Sequence, residues 1–356
     1  MKHVLITLLL ALVFTSTLCA QEVTLFKQHN MKRWDIPAGH YSGITHIEGD
    51  RYALVSDKQN ADGWTEVSFS FLPSGDIEKM QLIAHHYDVQ TRGKARDSEG
   101  IAYVPGRGFF VCAENDQQIV ELKEDGTPSG RRLSVPTCYS TSNIFQNYGF
   151  EALTYDTRQG IFWTTTEQGL KSDVTALTTH DTPLAPLLRL QSFGPDLHPL
   201  QQFAYKMEAP ATTRKPRHYA FGVPELLSVD DTTLLVMERE LCVPKRYNRS
   251  QCNIQIFIVN PHTGQPITDT SLPLKEMDTK NFLPKKRLHA FSTKIRFVGR
   301  KNFAKYEGMC LGPKQEDGSL TILLIADSQA REGNSLFRLK DYVRVLKIAP
   351  STSHPQ

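Results

Sequence analysis

Along this chain, short apolar runs and turns alternate in one recurring unit: a polar residue or acid, an apolar run, a turn, a β-rich run and a closing acid. The unit reads "YSGITHIEGDRYALVSD" at 41–57, "SEGIAYVPGRGFFVCAE" at 98–114 and "FEALTYDTRQGIFWTTTE" at 150–167. It returns as "PELLSVDDTTLLVME" at 224–238 and, with a longer turn, as "YEGMCLGPKQEDGSLTILLIAD" at 306–327. Each copy predicts a hairpin, because runs of Ile, Val, Leu, Phe and Thr are split by turn residues such as "PGRG", "DTRQG", "VDD" and "EDGS". A further β-like run follows several copies ("QIVELKEDG", "CNIQIFIVNPHTG", "FRLKDYVRVLKIAP"), which makes three or four strands per unit.

Successive copies start about fifty to about eighty residues apart, too far for a solenoid but suited to β-propeller blades carrying loop insertions. The expectation is an all-β, single-domain β-propeller over residues 21–350, with six blades and with five as the alternative. The stretch from Leu170 to Ala220, with "LLRLQSF" and "QQFAYKME", either completes an enlarged third blade or belongs to a degenerate sixth. The amino-terminal "EVTLFKQHN" can add an outer strand to the last blade and close the ring. Helical periodicity is scarce; the best candidate is the short "LPKKRLHAF" at 283–291.

The first twenty residues have the form of a signal peptide: Lys2, an apolar stretch from Val4 to Phe14, then small residues to Ala20. Cleavage is expected before Gln21, giving an exported protein, periplasmic or extracellular, with residues 351–356 as a disordered tail. Cys19 raises the rival of a lipid anchor, disfavoured because Leu18 stands where a small residue is usual. No later stretch reaches the roughly 18 apolar residues that span a bilayer. Over 356 residues the formal net charge is only +3, so no polybasic surface points to nucleic acid, and a monomer is expected. Of the remaining cysteines, Cys242 and Cys252 flank the turn-prone "VPKRYNRSQ" and are expected to pair, whereas Cys112 and Cys310 sit in apolar runs as small buried hydrophobes. Without a CxxC pair there is no zinc-ribbon or thioredoxin-like signal.

The acids carry the candidate chemistry. In a propeller the innermost strand of every blade lines the central channel, so a residue at its start recurs around one rim. Glu99, Glu151, Glu225 and Glu307 should therefore face one another, with Ser42 in the first copy. A second set, Asp57, Glu114, Glu167, Glu238 and Asp327, closes the adjacent strand and returns to the same face by antiparallel pairing. Converging carboxylates stay ionised together only with compensating cations, and hard oxygen donors without a His or Cys cluster favour Ca²⁺ over zinc or copper. The rival reading is that such acids accept hydrogen bonds from loop backbone and hold blades together. Arg96, Arg239 and Arg331 stand near these acids and either serve an anionic ligand or neutralise the carboxylates beside them.

The segments "DSEGIAY…FFVCAEN", "NYGFEALTYD…IFWTTTEQ", "FGVPELLSVDDTTLLVMERE" and "NFAKYEGMCLGP…ILLIADSQ" together resemble the secreted phytase-like β-propeller family, described as having esterase-like activity, over roughly residues 35 to 348. The resemblance implies a propeller that hydrolyses phosphate esters or other esters with calcium assistance. The chain departs from the pattern at Ser42, which breaks a full acid ring, and at Ala152, where two other copies have Gly. No G-x-S-x-G elbow, H-E-x-x-H or Walker A motif is present, and Arg217–His218 lacks the rest of a histidine acid phosphatase signature. What remains is metal-assisted attack by water. In that scheme Glu99, Glu151, Glu225 and Glu307, with Asp57, Glu114 and Asp327, hold calcium. Arg239 and Arg331 neutralise the phosphate of a small phosphorylated or ester substrate, and Glu167 or Glu238 orients water. The alternative is a non-catalytic, calcium-stabilised propeller that binds a ligand or protein partner at its rim.

Overall fold

A computed structural model describes residues 21–245, 247–296, 298–299, 302–329 and 339–350. The proposed signal peptide, Cys19 and the 351–356 tail lie outside these residues. Five antiparallel sheets form five blades. The first blade holds β3 (Tyr41–Glu48), β4 (Arg51–Ser56), β5 (Gly63–Phe71) and β6 (Ile77–Tyr87). The second holds β7 (Ser98–Val104), β8 (Gly108–Ala113), β9 (Gln118–Leu122) and β10 (Pro128–Arg132). The third comprises β11 (Phe150–Asp156), β12 (Ile161–Thr166), β13 (Leu187–Phe193) and β14 (Pro199–Lys206), and the fourth β15 (His218–Ser228), β16 (Leu234–Val243), β17 (Gln251–Val259) and β18 (Lys285–Lys294). The fifth contains β19 (Lys305–Leu311), β20 (Leu320–Asp327) and β21 (Tyr342–Ile348), completed from the far end of the chain by β1 (Val23–Leu25) and β2 (His29–Asn30). The amino-terminal strand thus closes the ring, with Val23 opposite Ile348.

The count is five, the stated alternative, because Leu170–Ala220 supplies the two outer strands of the third blade and no sixth sheet. The 283–291 segment is not a helix: from Lys285 onward it belongs to strand β18. A helix of nine residues gains little by itself, whereas here the segment pairs along the length of β17. The expected disulfide is also absent. Cys252 lies opposite Leu241 and Cys242 opposite Gln251, so the two thiols point to opposite faces of the sheet, and both are free.

The hydrophobic core is divided among the blade interfaces. Ala53, Val55 and Trp64 of the first blade pack on Ile101, Phe109 and Val111 of the second. Phe110 and Ile119 meet Phe150 and Phe162; Leu188 and Phe203 meet Val223 and Val236. Met237 and Ile254 meet Met309 and Leu324, and Leu323 and Val345 return to Leu54 and Val67 of the first blade. Inner strands β3, β7, β11, β15 and β19 adjoin in ring order around the channel.

Every inner hairpin breaks register at the repeated motif: between Tyr41 and Gly43, Ser98 and Ile101, Phe150 and Ala152, Gly222 and Glu225, and Tyr306 and Gly308. These β-bulges re-aim one side chain per blade. They also explain the glycines. A Cβ on Gly43 would lie 2.5 Å from the Glu99 carbonyl oxygen, and one on Gly100 2.6 Å from that of Glu151. The motif glycine of one blade therefore makes room for the acid's backbone in the next. Gly100→Ala should cost about 1–3 kcal/mol by overpacking, read as a lower urea midpoint at unchanged slope. A midpoint equal to wild type would show that the strands can part freely.

Candidate functional site

The bulges deliver Glu99, Glu151 and Glu307 to one mouth of the channel, where Asp57, Glu114 and Glu167 arrive from the ends of the adjacent strands. These six acids line a cavity of about 460 Å³ with Lys58, Asp97, Arg239 and Lys305. Asp327 stands just behind, its Oδ2 at 3.7 Å from Lys305 Nζ.

The fourth blade breaks the pattern in register: Val223 stands where the second blade has Glu99, and Glu225 falls two residues further along, paired with Met237 as Ile101 is with Val111. Glu225 is consequently drawn away from the mouth, where its carboxylate accepts from the backbone N–H of Leu153 (3.2 Å) and Leu226 (3.0 Å). Glu238 stands two residues before Glu240, which holds the register of the closing acids, and accepts from Tyr205 Oη (2.6 Å), the Glu208 N–H (3.0 Å) and Lys285 Nζ (2.7 Å). The structure does not bring these two residues into the cluster. Arg239, paired with Gly222 just before the bulge, lines the mouth from this blade instead. Only 2% exposed, its guanidinium reaches Glu167 of the third blade and Glu307 of the fifth, while its Nε has no hydrogen-bond partner among the described residues. Arg96 is engaged elsewhere, held two-pronged by Asp116 at 2.8 Å through each nitrogen. Arg331 lies outside the described residues.

Three participants were missed in the sequence: Asp97, Lys305 and Lys58. Asp97 and Lys305 stand two residues before the motif acid, in "DSEG" and "KYEG", and aligning the copies at that offset would have revealed them. Lys58 follows the closing acid Asp57. Its Nζ lies 2.7 Å from Asp97 and 3.3 Å from Asp57, and Lys305 Nζ lies 2.5 Å from Glu307.

Electrostatically the mouth has two sectors. On the Arg239–Lys305 side, the two cations overcome burial and hold the Glu307 carboxyl below its usual range. On the other side burial prevails. It lifts Glu99 and Glu151 well above the usual range, reinforced for each by neighbouring acids, and pushes Glu114 up to about 7, with Glu167 adding repulsion. Burial raises Asp57 and Asp327 as well, and Glu167 despite its pairing with Arg239.

A hard cation fits this second sector. Asp57, Asp97 and Glu99 each present an oxygen within 4.8 Å of the others, a spacing that one ion with bonds of about 2.4 Å can bridge. Asp57 Oδ1 and Asp327 Oδ2 are buried without a hydrogen bond among the described residues, with His40 Nδ1 at 3.4 Å from the first and Lys305 Nζ at 3.7 Å from the second.

The family model described as esterase-like activity of phytase matches residues 36–329. No curated protein matches the chain in sequence. Among solved structures, a luciferin-regenerating enzyme is 12% identical, with 92% of this chain and 96% of that chain covered and a TM-score of 0.38. A streptogramin B lyase is 12% identical (92% and 98% covered, TM-score 0.35), and virginiamycin B lyase from Staphylococcus aureus 10% identical (91% and 99% covered, TM-score 0.34).

Two outcomes follow. Acids whose folded pKa is raised stabilise the fold below their unfolded value, and that stability is lost as pH rises through the folded one. Glu307 acts in the opposite sense but is outnumbered. Metal-free protein should therefore lose stability between about pH 4.5 and 7, seen as a falling urea midpoint, and Glu151→Gln should flatten the slope. A flat or rising wild-type profile would contradict the burial argument. Separately, Arg239→Met leaves Glu167 and Glu307 without their shared cation and should cost about 3–5 kcal/mol at pH 7.5, less at pH 5, where the acids can protonate.

Proposed function

Because the chain belongs to the phytase-like family, we propose that it is an exported, calcium-dependent hydrolase of phosphate esters or other esters that works at the acidic mouth of the channel. The observation that carries this reading is the convergence of Asp57, Asp97 and Glu99 in an accessible cavity that also holds carboxylates short of counter-charge. Asp57, Asp97 and Glu99 would hold the calcium, with Glu151, Glu307 and Asp327 close enough to add to its charge environment. Bound there, calcium would polarise a phosphoryl oxygen and lower the pKa of a coordinated water.

The chain's own groups then divide the remaining work. Glu114, pushed up to about 7, can take or give a proton near neutrality. Lys58, 54% exposed, is the cation free to turn toward an anionic substrate, at the expense of its contacts with Asp57 and Asp97. Arg239 is a positioning residue in this reading: its pairs with Glu167 and Glu307 fix the far wall of the cavity. Glu238, outside the cavity, is left without a part. Export rests on the leader-like first twenty residues, and no helix among the described residues is long and apolar enough to cross a membrane.

The pairing of both Arg239 terminal nitrogens with protein carboxylates favours a second reading, in which calcium stabilises a non-catalytic propeller whose rim receives a ligand. One experiment separates the two. Calcium at 100 times its Kd should stabilise the fold by about 2.7 kcal/mol and raise the thermal midpoint, and Asp97→Asn/Glu99→Gln should lose most of that rise. Turnover of a panel of phosphomonoesters and carboxylic esters, abolished by chelator and restored by calcium, supports the hydrolase. A midpoint shift without turnover leaves the non-catalytic reading, and no shift at all removes both.

A further inference from the structure

Outside the channel mouth, the fourth blade carries a second concentration of charge, of the opposite sign. The loop 244–250 joins β16 to β17, and within it Tyr247 and Arg249 have φ of 58° and 72°. For side chains other than glycine this left-handed backbone costs on the order of 1–3 kcal/mol and persists where neighbours hold it. Here they do. The Arg249 N–H donates to the Ile295 carbonyl (2.8 Å), the Ile295 N–H returns to Ser250 (2.9 Å), and the Ser250 N–H closes on Tyr247 (3.0 Å). The loop is thereby laced to the end of β18, which sets Arg249 beside Lys294 and Arg296. Arg214, from the connection between the third and fourth blades, donates Nη1 to the Arg249 carbonyl at 3.2 Å.

Arg214, Arg249, Lys294 and Arg296 line a cavity of about 460 Å³. Among the described residues no carboxylate lines it and none of the four is ion-paired, although Arg214 and Arg249 also border a neighbouring cavity that Glu238 and Glu240 line. This contrasts with Arg96, Arg189 and Arg239, each of which is matched to an acid. Four cations around one space repel one another, and a strained loop keeps one of them there. We infer that this cavity is an anion site for a small ligand carrying two or more phosphate groups. Three of the cations are guanidiniums, whose planar forks grip phosphate oxygens in pairs, and a single orthophosphate would leave much of the lining unanswered. The inference goes beyond the hydrolase reading and does not need it. Tyr247 of the same loop lines the acidic cavity, so the loop separates two sites of opposite charge, and the basic one requires neither calcium nor turnover.

The test is calorimetric titration of the full chain, freed of metal on a chelating resin, with sodium tripolyphosphate at low ionic strength and with orthophosphate for comparison. Arg249→Gly removes the guanidinium at a φ that glycine adopts freely, and Arg296→Gln changes an exposed position. Tripolyphosphate should bind at least tenfold more tightly than orthophosphate. The Arg249→Gly/Arg296→Gln chain should lose at least tenfold in affinity at a thermal midpoint no lower than wild type, while Asp97→Asn/Glu99→Gln at the channel mouth binds as wild type. Should the first pair of substitutions impair folding, Lys294→Gln/Arg296→Gln gives the same readout. Absence of tripolyphosphate binding, affinity unaltered in both basic-cavity variants, or loss in the channel-mouth variant instead would overturn the assignment.

Discussion

The charge of Arg239 is what permits the innermost strands to meet. Five bulged strands converge on one axis, and three of them, with the ends of their neighbours, bring buried acids to the same end. One blade answers by giving up its acid. Val223 takes the bulge position there, Glu225 lies two residues along the strand against the backbone N–H groups of Leu153 and Leu226, and a guanidinium lines the channel mouth. At the corresponding positions before the closing acid the other blades carry Ser56, Ala113, Thr166 and Ala326, none charged. A buried ion pair rarely yields net stability over a well-packed apolar alternative. Its value here is that the surrounding acids are fixed in place, with one sector neutralised and the other left to attract a cation.

Much of this was legible in the sequence. The hairpin copies were visible because each is a local feature: two apolar runs, a turn, and an acid on either side. Even ring closure by the amino terminus could be anticipated, since "EVTLFKQHN" is a lone β-like segment with no hairpin partner of its own. The acids of four blades could be placed on a common rim because they share both spacing and bulge.

What escaped depended on register and on long insertions. The register of the fourth blade is invisible in the string "GVPELL": Val223 falls at the bulge, which leaves Glu225 and Glu238 each two residues away from the rim positions. The thiols of Cys242 and Cys252 looked close in sequence, but a one-residue offset in pairing puts them on opposite faces. The long third-blade loop before β13 suggested an extra blade because sequence distance does not say which sheet a strand will join. "LPKKRLHAF" looked helical because the edge of β17 that it covers lies beyond a connection whose length hides the pairing.

The pairing of Val23 with Ile348 has a consequence for the time course of folding. Each of the other sheets is built from neighbours in sequence and can form as soon as its own segment is available. The fifth must instead wait for its outermost strand to be recruited from the opposite terminus, across almost the entire chain. A chain emerging from its amino end therefore keeps its first strand unpaired until its last strand exists, with two exposed sheet edges that any other copy can satisfy. Loop closure over that separation is slow although its entropic cost grows only logarithmically with length. Dilution during refolding should thus matter more for this protein than temperature, since the competitor of ring closure is a second molecule offering the same strand.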